Sequence, residues 1–397
     1  MKVNGTRVPP CLFVDDINAI SESYTKLQNQ CNGISRALDT LSLQANEKKT
    51  MVIVVGTGYR ANKLRKQLKN NPAIIQGKQI MTTDADKYLG FTLSQKGVSD
   101  SIKRTFDDRL DKAWSKMFSM KRLLKHPAVQ KNGYIRSAIT LFRATIIPTL
   151  LYSCECWFGI SPTMIKTVEA AYRKLLYKFL DIPVHTKYES VLLQLGLKRA
   201  KDIIEGQKIC YINRIWNEGV NPLGKQLIIE DNLNCDNSDE ESVVDEIKRL
   251  CKEKNVKDIF ETYTENQIIK LVIKNWMKGE LWFESFKSKW SQTITTTRNV
   301  YKPYHYMTRL RGRAVFLWKV GALRFRRHWK NYYQTKKMTY MCPFPLCGHE
   351  DTYDHATECL FSNVKLTCND KNNEYAIADF LVKLNRERVK DHRWPLF

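Results

Sequence analysis

VPPCLFVDDINAI, residues 8–20, runs from apolar sequence into two adjacent carboxylates and then back into apolar sequence. That pattern predicts two short strands joined at a turn carrying Asp15 and Asp16. Two charges inside apolar sequence are unfavourable unless a site uses them. Carboxylates are hard oxygen ligands, and a tight turn aims at least one of them at a divalent cation. The same dipeptide also occurs as an ordinary polar turn. Asp107-Asp108 provides the contrast, because it sits in a stretch crowded with Lys and Arg and reads as a solvated helix face.

Downstream, Leu27, Ile34, Leu38 and Leu41 fall at helical spacing and predict a helix over 24–43. TMVIVV (50–55) reads as a buried strand closed by Gly56 and Gly58, and one or two further short strands fall within 78–93 around KYLGFTL. From Asp100 the periodicity turns helical. Trp114, Met117, Met120 and Leu124 form one stripe, and helices are expected over 133–158 (kinked at Pro148), 163–180 and 200–217. The fold class is therefore α+β: a small antiparallel sheet with a helix, followed by a long helical region.

LFVDDINAIS (12–21) resembles the aspartate-pair hairpin of reverse transcriptases. LQANEKKTMVIVV (43–55) resembles the next palm element of LINE-type enzymes, from non-long-terminal-repeat retrotransposons, and KYLGFTLSQKG (87–97) resembles their Tyr-Leu-Gly element. The three stand in the family's order at plausible spacing. The resemblance implies that Asp15 and Asp16 are the metal-binding pair of an RNA-directed DNA polymerase, with Asp15 the more direct ligand. Such enzymes use two divalent ions to activate the primer hydroxyl and stabilise the leaving pyrophosphate. It places Lys49 near the incoming nucleotide's phosphates and makes Tyr88 and Gly90 the primer-grip turn. In that family another metal-binding aspartate, a nucleotide-binding helix and the fingers come earlier, whereas fourteen residues precede Asp15 here. The expectation is thus the C-terminal part of a transposable-element enzyme, truncated before the Phe-x-Asp-Asp motif. It does not extend a primer by itself, and magnesium is relevant only to a completed site.

CPFPLCGHEDTYDHATEC (342–359) has the spacing C-x4-C-x7-H-x3-C at Cys342, Cys347, His355 and Cys359. Three sulfurs and an imidazole so close together suit a closed structural zinc site that folds its segment and does no catalysis. His349 is an alternative fourth ligand and Cys368 a spare thiol. LINE-type enzymes often end in a similar Cys-Cys-His-Cys element, with a first spacing usually shorter than four residues.

The charge is decisive for partners. Lys and Arg number 65 against 41 acids, a formal +24 that an anionic partner must neutralise. Residues 298–337 concentrate it, with twelve Lys or Arg, no acid and nine aromatics. Arg309, Arg311, Arg313, Arg324, Arg326 and Arg327 are expected to contact phosphates, while Phe316, Trp318, Val320, Leu323 and Phe325 pack inside. The partner is nucleic acid, RNA or DNA, with no membrane and no small-molecule substrate beyond nucleotides. No apolar run is long enough to span a bilayer and no export signal is evident, so eleven scattered cysteines read as intracellular free thiols, nuclear or cytoplasmic, plus one metal site. Residues 230–246 hold eight acids and no base and read as a solvated linker.

The expected domains are a partial palm (1–98), a thumb-like helical region (99–228), an acidic linker (229–246), a helical basic-aromatic region (247–341), the zinc knuckle (342–368) and a tail (369–397). No phosphate loop, nucleophile elbow or His-Glu-x-x-His motif is present. Two rival readings are a non-enzymatic, zinc-stabilised nucleic-acid-binding protein in which Asp15 and Asp16 do nothing, and a zinc-dependent protein-interaction module.

Overall fold

The computed structural model describes residues 2–3, 6–7, 10–13, 15–184, 186–217, 222–235, 241–261, 265–286, 305–320, 322–323, 342, 347, 349–359, 362, 366 and 373–390. It is α+β, rich in helix, with small two-stranded sheets. The chain divides into two units that interleave in sequence. One is built from residues 1–111, 151–169 and 200–274, the other from 112–150, 170–199 and 275–397. Periodicity reports which face of a helix is apolar, and leaves open which helices share that face.

The first unit begins with the hairpins β1 (Lys2–Val3) and β2 (Thr6–Arg7), then β3 (Cys11–Phe13) and β4 (Asp16–Asn18). Helix α1 (Tyr24–Thr40) starts at Ser23, whose hydroxyl accepts the backbone N–H of Lys26. Next come β5 (Met51–Val52), α2 (Tyr59–Asn70), β6 (Ile74–Ile75), β7 (Lys78–Gln79) and β8 (Met81–Thr82). A small antiparallel sheet was expected, yet β5 pairs with β8 in parallel, Met51 opposite Met81. A parallel pair needs a crossover, and α2 with the β6–β7 hairpin provides it. TMVIVV is correspondingly not a buried strand: only its first two apolar residues pair and only Val54 is buried. Cys31, Val54, Leu68, Ala73, Ile75 and Ile80 form the core beneath α1 and α2. Gln76 ties the β6–β7 turn to α1 and its exit, its side chain bonding to Asp39 and to the backbone of Leu43 and Ala45.

Strands β9 (Ala85–Tyr88) and β10 (Phe91–Ser94) form the last hairpin, and α3 (Val98–Leu123) follows, shared by the two units. The first unit's second core lies among α9 (Ala200–Asn217), α10 (Pro222–Cys235), α11 (Val243–Glu253) and the start of α12 (Asn266–Phe286). The acidic stretch differs from the expected linker. Its first residues finish α10 and its last begin α11. Ser242 caps α11, Asp231 accepts the N–H of Val243, and Glu246 holds buried Lys208 at 2.6 Å. Carboxylates gather there because helix N-terminal N–H groups and buried lysines need them.

In the second unit, α4 (Pro127–Lys131) and α5 (Tyr134–Leu141) lead into a π-helical turn, Phe142–Ile146, and then α6 (Ile147–Leu150). The long helix expected over 133–158 stops at Leu150. The wide turn lies just before Pro148, which cannot donate a backbone hydrogen bond and whose ring crowds the preceding turn. Phe142 packs edge-on against Tyr172 of α7 (Pro162–Leu180) and beside its Phe179. Helices α8 (Tyr188–Leu195), α13 (Arg309–Lys319), α14 (Tyr353–Glu358) and α15 (Glu374–Lys390) complete the unit. Helix α13 packs on α15, burying Ala314, Val315 and Phe316 on the one and Ile377, Leu381 and Leu384 on the other.

Candidate metal centre and nucleic-acid surfaces

Thr352 accepts the N–H of His355 at 3.0 Å and so starts α14, placing His355 in its first turn and Cys359 at its end. The N–H of Cys342 donates to the carbonyl of His349 at 2.7 Å and brings the first cysteine back. As a result the ligand atoms of Cys342, Cys347, His355 and Cys359 lie within 4.8 Å of one another and could hold a metal ion. The sulfur of Cys347 is 3.7 Å from that of Cys359 and 3.1 Å from Nε2 of His355, and Cys342 and Cys359 are 3.8 Å apart. Cys347 and Cys359 are buried. Burial opposes ionisation of Cys347, but hydrogen bonds from His349, Cys359 and Cys342 outweigh it and hold its thiol below the usual range. Burial also pushes His355 down, toward the neutral imidazole that binds metals. His349 stacks on His355 with ring centres 5.0 Å apart, but its Nδ1 sits 2.9 Å from the carbonyl of Cys347. Behind the cluster, Arg388 of α15 and Asp351 form a two-pronged ion pair at 2.6 and 3.2 Å with both side chains fully buried. Spacing found the four ligands. Arg388, which pairs with Asp351 of the same segment from farther along the chain, carried no local signal.

In the β3–β4 hairpin Phe13 stands opposite Asp16, so Asp15 occupies the turn and Asp16 opens the second strand, both exposed. Among the described residues no third carboxylate, thiol or imidazole converges on them. Tyr88 lies close enough to feel this hairpin: partial burial, then the charges of Cys11 and Asp16, raise its phenol above the ordinary value. Leu89 and Gly90 make the two-residue turn after Tyr88, both with positive φ (47° and 81°). Two residues unmarked in the sequence clamp this turn. The Arg109 guanidinium donates to the carbonyl of Gly90 at 2.8 Å, and the Tyr152 hydroxyl donates to that of Leu89 at 2.9 Å. Arg109 lies 3.9 Å above the Tyr152 ring. A Cβ at Gly90 would collide with the guanidinium. Lys49 is exposed in a turn organised by Asn46, whose carbonyl accepts the N–H groups of Lys49 and Thr50.

The arginine helix is more occupied than its charge suggested. Arg311 pairs with Asp379 at 2.6 Å, Arg313 donates to the carbonyl of Asp181 at 3.0 Å, and Arg309 reaches Gln130 and lies over the Tyr134 ring. Acid-free sequence does not mean acid-free surroundings, since Asp379 arrives from α15. Phe316, Val320 and Leu323 are buried and Trp318 is half-buried. Arg324, Arg326, Arg327, Phe325 and Cys368 lie outside the described residues. Among the described residues no helix is long and apolar enough to cross a membrane.

Set against known proteins, the chain matches no family model, no curated protein and no solved structure.

Proposed function

We propose that this chain is a nucleic-acid-binding part of a LINE-type reverse transcriptase, with a structural zinc knuckle. The observation that carries the reading is the neighbourhood of the Asp-Asp hairpin. Its Asp16, some seventy residues from Tyr88 in sequence, contributes with burial and Cys11 to raising the Tyr88 phenol, and Arg109 and Tyr152 donate to the carbonyls of the Leu89-Gly90 turn that follows. Such a turn suits a strand-positioning element next to a metal-binding pair. The net charge of +24 calls for a polyanion.

The metal that suits the knuckle is zinc. A tetrahedral ion with bonds of about 2.3 Å to sulfur sets neighbouring sulfurs about 3.8 Å apart. Cys359 lies 3.7 Å from Cys347 and 3.8 Å from Cys342, sulfur to sulfur. Four protein ligands leave no open position, so the ion's work is to fold the segment.

One observation favours the non-enzymatic reading over catalysis by this chain alone. Two exposed carboxylates on one turn have no third ligand among the described residues, and two ions need an opposing one. The testing experiment is a salt titration of the full chain on labelled oligonucleotides. Affinity should fall linearly, log against log, with a slope set by the phosphates contacted. Absence of binding, or binding indifferent to salt, would refute a nucleic-acid function.

A further inference from the structure

The second unit contains a groove of about 1030 Å³ lined by Arg173, Lys174 and Lys178 of α7, Trp114 of α3, Arg313 of α13 and Asp181. Its charges do not cancel. Asp181 is taken up by Lys121 at 2.6 Å. Arg173 hydrogen-bonds to the neutral carbonyls of Val184 and Thr186, which fixes its guanidinium and leaves its charge in place. Lys174 and Lys178 are exposed, and among the described residues neither has a carboxylate partner. They stand one helical turn apart on one face, where like charges repel each other unless an anion lies between them. Trp114 is half-buried, stands 6.0 Å from Phe118 in a tilted pair, and has the Lys174 ammonium 6.0 Å from its ring.

We propose that this groove binds a segment of single-stranded nucleic acid, its phosphates on Lys174, Lys178 and Arg173 and a base against Trp114. Cations spaced along a groove track a polyanionic backbone, and an aromatic face beside them engages bases that are not already stacked. In a duplex the bases are stacked on each other and cannot reach Trp114. An acidic peptide would satisfy the lysines and leave the indole without a flat partner. The inference rests on the nucleic-acid reading above and adds the place and the form of the strand.

The test is fluorescence anisotropy of the full chain with a labelled oligo-dT, an oligo-U and a duplex of equal length, each titrated with salt. Replacing Lys174 and Lys178 together by Ala should weaken single-strand binding roughly ten-fold and lower the salt slope by about 1.4. Both side chains are exposed, so the core stays intact. Trp114→Ala should cost about five-fold or more on single strands and leave the duplex unaffected. A control pair on α2, Lys63→Ala with Lys66→Ala, should change neither. Wild-type binding that survives the Lys174/Lys178 replacement overturns the groove and spares the nucleic-acid function. Equal affinity for the duplex, equally reduced by the lysine variant, overturns the single-strand assignment. No binding by the wild-type chain overturns both readings. Oligo-dT against oligo-U decides between DNA and RNA.

Discussion

At the scale of single residues, two positions carry obligations that no substitute meets. Gly90 has φ of 81° and a neighbour where a Cβ would be, so Gly90→Ala meets backbone strain and displaces the Arg109 guanidinium from its carbonyl. We expect a loss of about 1–3 kcal/mol in urea unfolding of the first unit. Arg109→Ala in the same chain should restore part of it by removing the collision, and a full additive loss in the double variant would contradict the clamp. Cys347 is the hub of the metal cluster, within 3.7 Å of Cys359 and 3.1 Å of His355. Cys347→Ser should remove about one equivalent of zinc, read by metal analysis, and acid should release the metal from the wild type because protons compete for thiolate and imidazole. Full retention of metal in the variant would rule out the ligand set. The cysteine spacing was legible before any fold was known, because three cysteines and a histidine at C-x4-C-x7-H-x3-C spacing suit convergence on one ion. Arg109 and Tyr152 were illegible: one is an arginine among many, and both act through backbone carbonyls that any sequence offers.

At the scale of elements, α9 is joined to α11 and the residue after it by buried charges. Lys254, just past α11, sits 2.8 Å from Asp202 and 2.7 Å from Glu205 with all three largely buried. Burial alone would lower the lysine's pKa, but the two carboxylates outweigh it and hold it above its ordinary value of 10.5. A folded-state value raised in this way gives stability that is fully present below the unfolded value and is lost as pH rises through the folded one. Alkaline titration should therefore loosen the α9–α11 contact first. Lys254→Ala strands two buried carboxylates and should cost about 3–5 kcal/mol in thermal or urea unfolding. A cost below about 1 kcal/mol, the range of an exposed pair, would refute the buried arrangement. Helix positions were legible here, since 200–217 follows directly from apolar spacing and matches α9. Glu246, in the run 230–246, was misjudged because a run of like charge looks solvated until a partner, here Lys208, comes from elsewhere in the chain.

For the whole molecule, the chain divides into two units, and the Cys/His cluster belongs to the second. Chelation should therefore act selectively. In hydrogen exchange, amides of 342–359 and of α15, which is tied to the cluster through Asp351 and Arg388, should lose protection. Amides of α1 and α2, packed on Leu68 and Ile75, should not. Uniform loss across both sets, or none in α15, would contradict this division. What the sequence by itself determined is whatever short-range chemistry dictates: the hairpin around Asp15 and Asp16, helices such as α1, α7 and α9, the clustered cysteines and histidine, and the excess of cations. Only the tertiary structure decided the rest. It paired Arg311 with Asp379, fastened the Tyr88 turn with Arg109 and Tyr152, and left Lys174 and Lys178 without carboxylates among the described residues. The reason is physical. Periodicity and spacing express interactions within a few residues of chain, whereas the neutralisation of a charge depends on which distant helix folds against it.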